Sequence, residues 1–258
     1  MRIVSWNVNS LNARLPRVLE WLELMEPDVL CMQETKLAQD AFPADAFAEL
    51  GYDSAHHGQG QWNGVAILSR VGLDDPAPDF ADGGEPDPDA RILWATCGGI
   101  RIASAYIPNG RTPEDDHYQY KLAWFARLRA HLEAACDPAN PVAVLGDFNV
   151  APEDRDVWDI GAFEGATHVT APEREAFLDL INWGLVDVFR AQYPDDDGLF
   201  TYYDYTKGRF HKREGMRIDF ILASEPLAST ATFALADRNA RKGEKPSDHL
   251  PLMADFAF

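Results

Sequence analysis

Cysteine is scarce in this chain. Cys31, Cys97 and Cys136 stand apart in apolar surroundings, and no two form a C-x-x-C pair. That pattern excludes a disulfide framework and a thiolate zinc site, and leaves reduced core thiols. Long apolar runs are missing as well. No stretch approaches the roughly 20 residues needed to cross a bilayer, and the opening MRIVSWNVNS lacks the basic start and apolar region of a secretory signal. A cytoplasmic protein with no membrane partner is expected. Basic charge is the third shortage: Lys and Arg number 23 against 42 Asp and Glu, a formal net charge of −19. Taken as an average, that balance argues against a nucleic-acid partner, which draws on Lys and Arg.

The distribution of charge qualifies this exclusion. Much of the acid lies in DDPAPDFADGGEPDPDA from Asp74 and YPDDDG from Tyr193, which read as solvated surface loops. The base is gathered in YTKGRFHKREGMR (Tyr205 to Arg217) and RNARKGEK (Arg238 to Lys245). Aromatic residues interleave the first of these, which makes it a candidate nucleic-acid surface.

The chain has 258 residues, 46% of them hydrophobic, enough for one large core. A single domain over 1–258 is expected, with no internal repeat. Short apolar runs recur as strand candidates: RIVSWNV, DVLCMQ, GVAILSR, RILWAT, IRIASAYI, VAVLGDF, RIDFILAS and PLMADFAF. Helical spacing appears over Ala13 to Met25 and Tyr118 to Ala135, and a third helix containing Asp179 to Trp183 opens after Pro172. The helices are too few for strict strand-helix alternation, so a doubly wound parallel fold is not expected. Two packed, mainly antiparallel sheets with helices on their outer faces fit better.

Polar residues stand where these strands end. In VAVLGDFNVAPED, Asp147 and Asn149 lie two apart and so share a face of the strand. Asn7 and Asn9 alternate in SWNVNSL, Glu34 closes CMQETK, and Tyr106 and Asn109 follow IRIASA. Asp219 sits inside RIDFILAS, and Asp248 and His249 precede the last strand. Each has an ordinary explanation as a turn cap, a local ion pair or a satisfied core histidine. Their joint occurrence at nearly every strand terminus points instead to one polar rim. Several carboxylates in one pocket raise each other's pKa unless a cation joins them. With few nitrogen or sulfur ligands available, Mg²⁺, or Mn²⁺ in its place, is the expected ion, and metal-assisted phosphoester hydrolysis the expected chemistry.

Together, WNVNSL, PDVLCMQETK, HHGQ with NGVAILSR, YIPNGR, YKLAWF, GDFNVAPED, RIDFILAS and SDHLPL resemble the exonuclease III family of bacterial abasic-site endonucleases, within the endonuclease/exonuclease/phosphatase superfamily. The matching stretches run in the family's order from Trp6 to Leu252. The resemblance implies an α/β fold, a four-layer sandwich of two mixed, mainly antiparallel sheets flanked by helices. It also implies Mg²⁺-dependent cleavage of duplex DNA 5′ to abasic sites, with 3′→5′ exonuclease and 3′-phosphatase activity, by a monomer.

Carried across by position, Glu34 is implied as metal ligand, Asn7 as an amide that binds metal or polarises the phosphate, and Asp248 as support for the metal. Asp147 is the implied acid acting on the attacking water or the leaving group, and Asn149 the donor to phosphate oxygens. Tyr106 is the implied phosphate-contacting hydroxyl. His249 is implied to bind the phosphoryl group or take a proton, with Asp219 holding its ring; the residues leave open whether Asp147 or His249 is the base. Where family members carry a Trp pair, this chain has Tyr202 and Tyr203, expected to keep a stacking face against DNA. Lys36, Arg91, Arg111, Lys121, Lys207, Arg209, Lys212 and Arg241 are the candidate phosphate contacts. Two rival readings follow from the same residues: a phosphatase acting on a small phosphoester or lipid headgroup, and a non-catalytic DNA-binding member.

Overall fold

Alternation along the strands builds the layers. A computed structural model describes residues 1–258. In chain order the strands are β1 (Arg2–Asn7), β2 (Val29–Gln33), β3 (Asp53–His57), β4 (Val65–Ser69), β5 (Asp74–Pro78), β6 (Ile92–Cys97), β7 (Ile100–Tyr106), β8 (Val142–Asp147), β9 (Leu185–Asp187), β10 (Asp219–Ser224), β11 (Ala231–Ala236) and β12 (Leu252–Phe256). Among the helices are α1 (Leu11–Met25), α2 (Ala44–Ala48), α3 (Asp116–Ala135) and α4 (Ala171–Gly184). One sheet runs β11-β12-β1-β2-β4-β3 and the other β5-β6-β7-β8-β10-β9.

Successive side chains of a strand point to opposite faces. Ile3, Val29, Cys31, Val65 and Ile67 of the first sheet therefore meet Ile100, Ile102, Ala143, Leu145, Ile221 and Ala223 of the second in the central core. The alternate residues face outward. Val4, Trp6, Leu30, Met32, Ala66 and Leu68 pack on Val18, Trp21 and Leu22 of α1. Trp94, Ala103, Val144, Phe220 and Leu222 pack on Trp124, Phe125 and Leu128 of α3 and on Phe177 and Leu180 of α4. The result is a four-layer α/β sandwich. Because both faces of each central strand are covered, β2 and β8 are buried at every position and read as continuous apolar runs rather than alternating ones.

All eight strand candidates recur as strands, and four more appear: β3, β5, β9 and β11. β5 lies inside the acidic stretch expected to be loop alone. It is an edge strand interrupted by a bulge and carrying Pro76 and Pro78, the place where missing N–H groups cost least. The third helix begins at Ala171, with Thr170 and Glu173 forming a capping box and Pro172 in the first turn.

The residues show no repeat, but the order of the strands does. Adding six to each strand number, counting on from twelve to one, converts the first sheet's order into the second's. Each sheet holds one parallel pair, β1 with β2 and β7 with β8, crossed by α1 and α3 respectively. The repeat is topological, and the residues at equivalent positions differ.

Candidate active site

Strand parity delivers the polar residues to one place. Asn7 extends the inward series Ile3, Ser5; Tyr106 extends Ile102, Ser104; Asp147 extends Ala143, Leu145; and Asp219 precedes Ile221, Ala223. The inner faces thus grade along the strands from aliphatic, through a rung where Gln33 donates to Ser104 Oγ at 3.1 Å, to charged groups at the rim. Gly146 is required by this arrangement. A Cβ there would stand 1.7 Å from the carbonyl oxygen of Ala105, its partner on β7.

The rim forms a cleft of about 180 Å³ lined by Glu34, Tyr106, Asn109, Asp147, Asn149, His168, Tyr202, Met216, Ile218, Asp248 and His249. At its floor the amide of Asn7 donates to Glu34 Oε1 at 2.8 Å and to Asp147 Oδ2 at 3.0 Å, so one side chain spaces the two carboxylates. Burial works to raise the Glu34 pKa, but the Lys36 ammonium at 2.7 Å, with hydrogen bonds from Lys36 and Asn7, outweighs it and holds the carboxyl below its ordinary value. Asp147 has no such lysine. Burial, with Asp219 and Glu34 nearby, pushes it up to about 7 against the pull of His249.

His249 is fixed between two acids. Its Nδ1 lies 2.9 Å from Asp219 and its Nε2 3.7 Å from Asp147. Burial disfavours the imidazolium, yet Asp219 and Asp147 raise the pKa to about 10, so the ring is cationic at neutral pH. Asp219 is held in turn by Thr201, whose hydroxyl accepts from the Asp219 N–H at 3.1 Å. Arg217, two residues before Asp219, does not pair with it and is buried on Asp156 and Asp187. Tyr106 is half-buried, and burial beside Glu34 and Asp147 keeps its hydroxyl protonated far above neutral pH.

Asn149 occupies a left-handed turn, φ 51°, as does Glu34 at φ 52°. Its Oδ1 accepts from Asn109 Nδ2 at 3.0 Å and meets His168 Nε2 at 3.2 Å; since an amide oxygen only accepts, that nitrogen carries the proton. Its Nδ2 donates to the carbonyl of Ile107 at 2.9 Å. Sequence reasoning missed His168. Burial, reinforced by Lys121, lowers its pKa to about 4 and keeps it neutral. It lies in a turn with φ 80°, outside any periodic segment, and carried no signal beyond being a histidine.

A chain of this geometry has relatives. The Endonuclease/Exonuclease/phosphatase family matches residues 4–249. Exodeoxyribonuclease III of Haemophilus influenzae is 33% identical, with 99% of this chain and 100% of the relative covered. The chain belongs to the exonuclease III family. Two solved structures share the fold over the full length of both chains at 37% identity. One is an AP endonuclease from Archaeoglobus fulgidus, at TM-score 0.96; the other is the 3′ phosphatase NExo from Neisseria, bound to a product DNA hairpin, at TM-score 0.95.

Three of the candidate DNA contacts are enclosed by the structure. Lys121 has no exposed side-chain surface; it pairs with Glu173 and donates to the carbonyl of Asn149 at 2.6 Å. No phosphate reaches it. Tyr203 is buried, with its hydroxyl on Arg238, so it offers no stacking face; Tyr202, its neighbour, points the other way into the cleft, 4.9 Å from the His249 ring. Arg91 is buried over the Tyr106 ring at 4.9 Å and paired with Asp89 at 2.9 Å. The rest stay within reach of solvent. Lys207, Lys212 and Arg111 are exposed, Arg209 lies over Trp158, Arg241 lies over Tyr205 and Phe210, and Lys36 is tied to Glu34 and to Asn9.

A divalent cation fits the floor of this cleft. The oxygens of Glu34 and Asp147 and a nitrogen of His249 lie within 4.8 Å of one another. His249 is committed as a cation, which leaves an oxygen donor set suited to a hard ion. Asp248 stands outside that group, its Oδ1 accepting from Asn9 at 3.0 Å.

Proposed function

We propose that this chain is a DNA repair nuclease that hydrolyses the phosphodiester 5′ to abasic sites in duplex DNA and also acts on 3′ ends as exonuclease and phosphatase. The observation that carries this reading is the buried Asp219–His249–Asp147 arrangement. A cation and a carboxylate of near-neutral pKa face one cleft, in a chain of the exonuclease III family. It works as a monomer in the cytoplasm on this reading, and none of its helices is long and apolar enough to cross a membrane.

Glu34, with support from Asp248, would hold Mg²⁺, which Mn²⁺ can replace, while Asn7 steadies the Glu34 and Asp147 carboxylates through its amide nitrogen. Bound there, the ion supplies charge neutralisation at the phosphate and polarisation of the bond to be broken. The side chains do the rest. Asp147, near pH 7, is matched to taking a proton from the attacking water, and His249, protonated throughout that range, donates to a non-bridging phosphate oxygen. The basis for assigning the base to Asp147 rather than His249 is this separation of pKa values by environment. Tyr106 adds a neutral donor. The solvent-facing segments Tyr205 to Arg213 and Arg238 to Lys245 supply the cationic flank against an otherwise acidic surface, Arg217 being buried.

The test is cleavage of an end-labelled duplex carrying one abasic analogue, beside an undamaged duplex, a 3′-phosphate duplex and an EDTA control. Incision on the 5′ side of the lesion, lost with EDTA and restored by Mg²⁺, is the expected result. Intact duplexes alongside hydrolysis of a small phosphoester would move the chain to the phosphatase branch.

A further inference from the structure

Beneath the cleft lies an ion pair that no substrate touches. Lys121 comes from α3 and Glu173 from the first turn of α4, and neither side chain has exposed surface. A pair so buried is an inefficient source of stability, since desolvation consumes most of its attraction. What its hydrogen bonds reach is informative. The Lys121 ammonium donates to the backbone carbonyls of Asn149 at 2.6 Å and Asn109 at 3.3 Å, and to Thr167 Oγ1 at 3.4 Å. The Glu173 carboxylate accepts from the His168 N–H at 2.9 Å, from Thr167 Oγ1 at 2.6 Å and from the N–H and hydroxyl of Thr170.

The three segments tied together are the ones whose side chains converge on the Asn149 amide: Asn109, Asn149 and His168. Their backbones need anchoring. Asn149 and His168 both sit at positive φ, as does Gly110, where an added Cβ would meet Thr167 Oγ1 at 2.8 Å. Non-glycine residues persist in that region only when their surroundings over-determine it.

We propose that Lys121 and Glu173 are positioning residues for phosphoryl transfer: their ion pair locks the Asn109, Asn149 and His168 loops so that the Asn149 amide is aimed into the cleft. The substrate side of this inference rests on the nuclease reading, and the geometric side does not. Loss of the lock leaves DNA binding in place and slows turnover, because the amide is spread over orientations of which one is productive.

The experiment is a mutant cycle on the abasic duplex at saturating Mg²⁺. It compares parent, Lys121→Met with Glu173→Gln, Asn149→Ala, and all three substitutions together. Removing both charges avoids stranding one of them. The expected result is a loss of kcat of about tenfold or more with KM within about twofold, shrinking to about twofold or less when Asn149 is already alanine. The same factor in both backgrounds, or an unchanged kcat, overturns the proposal. If the charge-free variant fails to fold, Thr167→Val, which removes the hydroxyl that meets Lys121, Glu173 and the Asn109 carbonyl and leaves both charges in place, is used instead. A parent that spares every duplex but hydrolyses a small phosphoester refutes the nuclease reading alone, and the same cycle on that ester still decides the positioning role. With no turnover on any substrate, the ¹⁵N-resolved side-chain amide signals of Asn149 decide it: loss of dispersion in the charge-free variant supports the lock, and unchanged shifts overturn it.

Discussion

At equivalent strand ends the two halves of the sandwich present different chemistry. Gln33 closes β2 and Glu34 follows it, and there a lysine two residues on keeps the acid ionised. Asp147 closes β8, and there its cross-strand partner is a second acid, Asp219, where β2 has Val65 opposite Gln33. The backbone plan is shared, and the neighbours decide the proton. One half supplies a permanently charged carboxylate suited to holding a cation, the other a titratable one suited to moving a proton. This division of two carboxylates by environment is a general route to acid and base roles at one pH.

The division predicts that the two acids fail differently. Asp147→Asn should lower kcat by about 10³-fold, with no recovery at high Mg²⁺. Glu34→Gln should lower activity strongly at limiting Mg²⁺ and regain part of it as Mg²⁺ rises, since a lost ligand weakens binding more than chemistry. A Mg²⁺ titration of both variants checks this. Equal rescue of the two would break the assignment of separate roles.

The backbone difference between the halves gives the next largest effect. At matching register Trp6 pairs with Met32 and Ala105 with Gly146. The first half tolerates methionine where the second requires glycine, because a Cβ on residue 146 would collide with the Ala105 carbonyl. Gly146→Ala should cost about 3 kcal/mol by forcing β7 and β8 apart. Denaturant unfolding measures it, and a loss within experimental error would show that the strands separate freely.

Much of the site was legible for the same reason that the two halves can be compared. Inner-face parity carries straight from Ala143 and Leu145 to Asp147, and from Ile3 to Asn7, so a polar residue ending an apolar run reveals where the rim lies. Long-range pairing was not legible. Lys121 reads as one more surface cation until Glu173, far along the chain, is seen to enclose it. Tyr202 and Tyr203 look alike in sequence, yet adjacent residues of an extended segment face opposite ways, and one of them goes into the interior. The repeat escaped because Met32 and Gly146, or Val65 and Asp219, share nothing but position. β5 escaped because proline and aspartate disguise an edge strand as loop.

His249 allows a test of the charge assignment by pH. Asp219 and Asp147 hold its folded pKa near 10, so the parent keeps the imidazolium across the assay range. Asp219→Asn removes the larger support and should drop the pKa toward the ordinary value of about 6.5. The proton is then lost as pH rises through neutrality, and the rate should acquire an alkaline limb, reaching about a hundredfold below parent at pH 8.5 for a pKa of about 6.5. A uniform loss with an unchanged profile would mean that Asp219 orients the ring without setting its charge.

The smallest effect comes from the outer layers. Beneath α1, Trp6 packs on Trp21 at 5.5 Å, with no titratable ring. Beneath α3, the aromatic contact is Trp94 of β6 on His131 at 4.3 Å, with His131 Nδ1 accepting from the Ala81 N–H at 2.7 Å. Burial, with Arg101 nearby, lowers the His131 pKa to about 4. The unfolded chain binds a proton near pH 6.5 that the folded chain refuses until about 4, so the unfolded state binds more protons between those values. Stability contributed by the neutral ring is present above about pH 6.5 and lost as pH falls toward 4, by about 1–2 kcal/mol at pH 5. His131→Asn, which keeps an acceptor without the titration, should flatten that part of the acid limb, whereas Trp21→Phe in the other half should lower stability equally at pH 5 and pH 7. Parallel acid limbs for parent and His131→Asn would place the proton uptake elsewhere, on a carboxylate such as Glu173, held below its ordinary value by its buried pairing with Lys121.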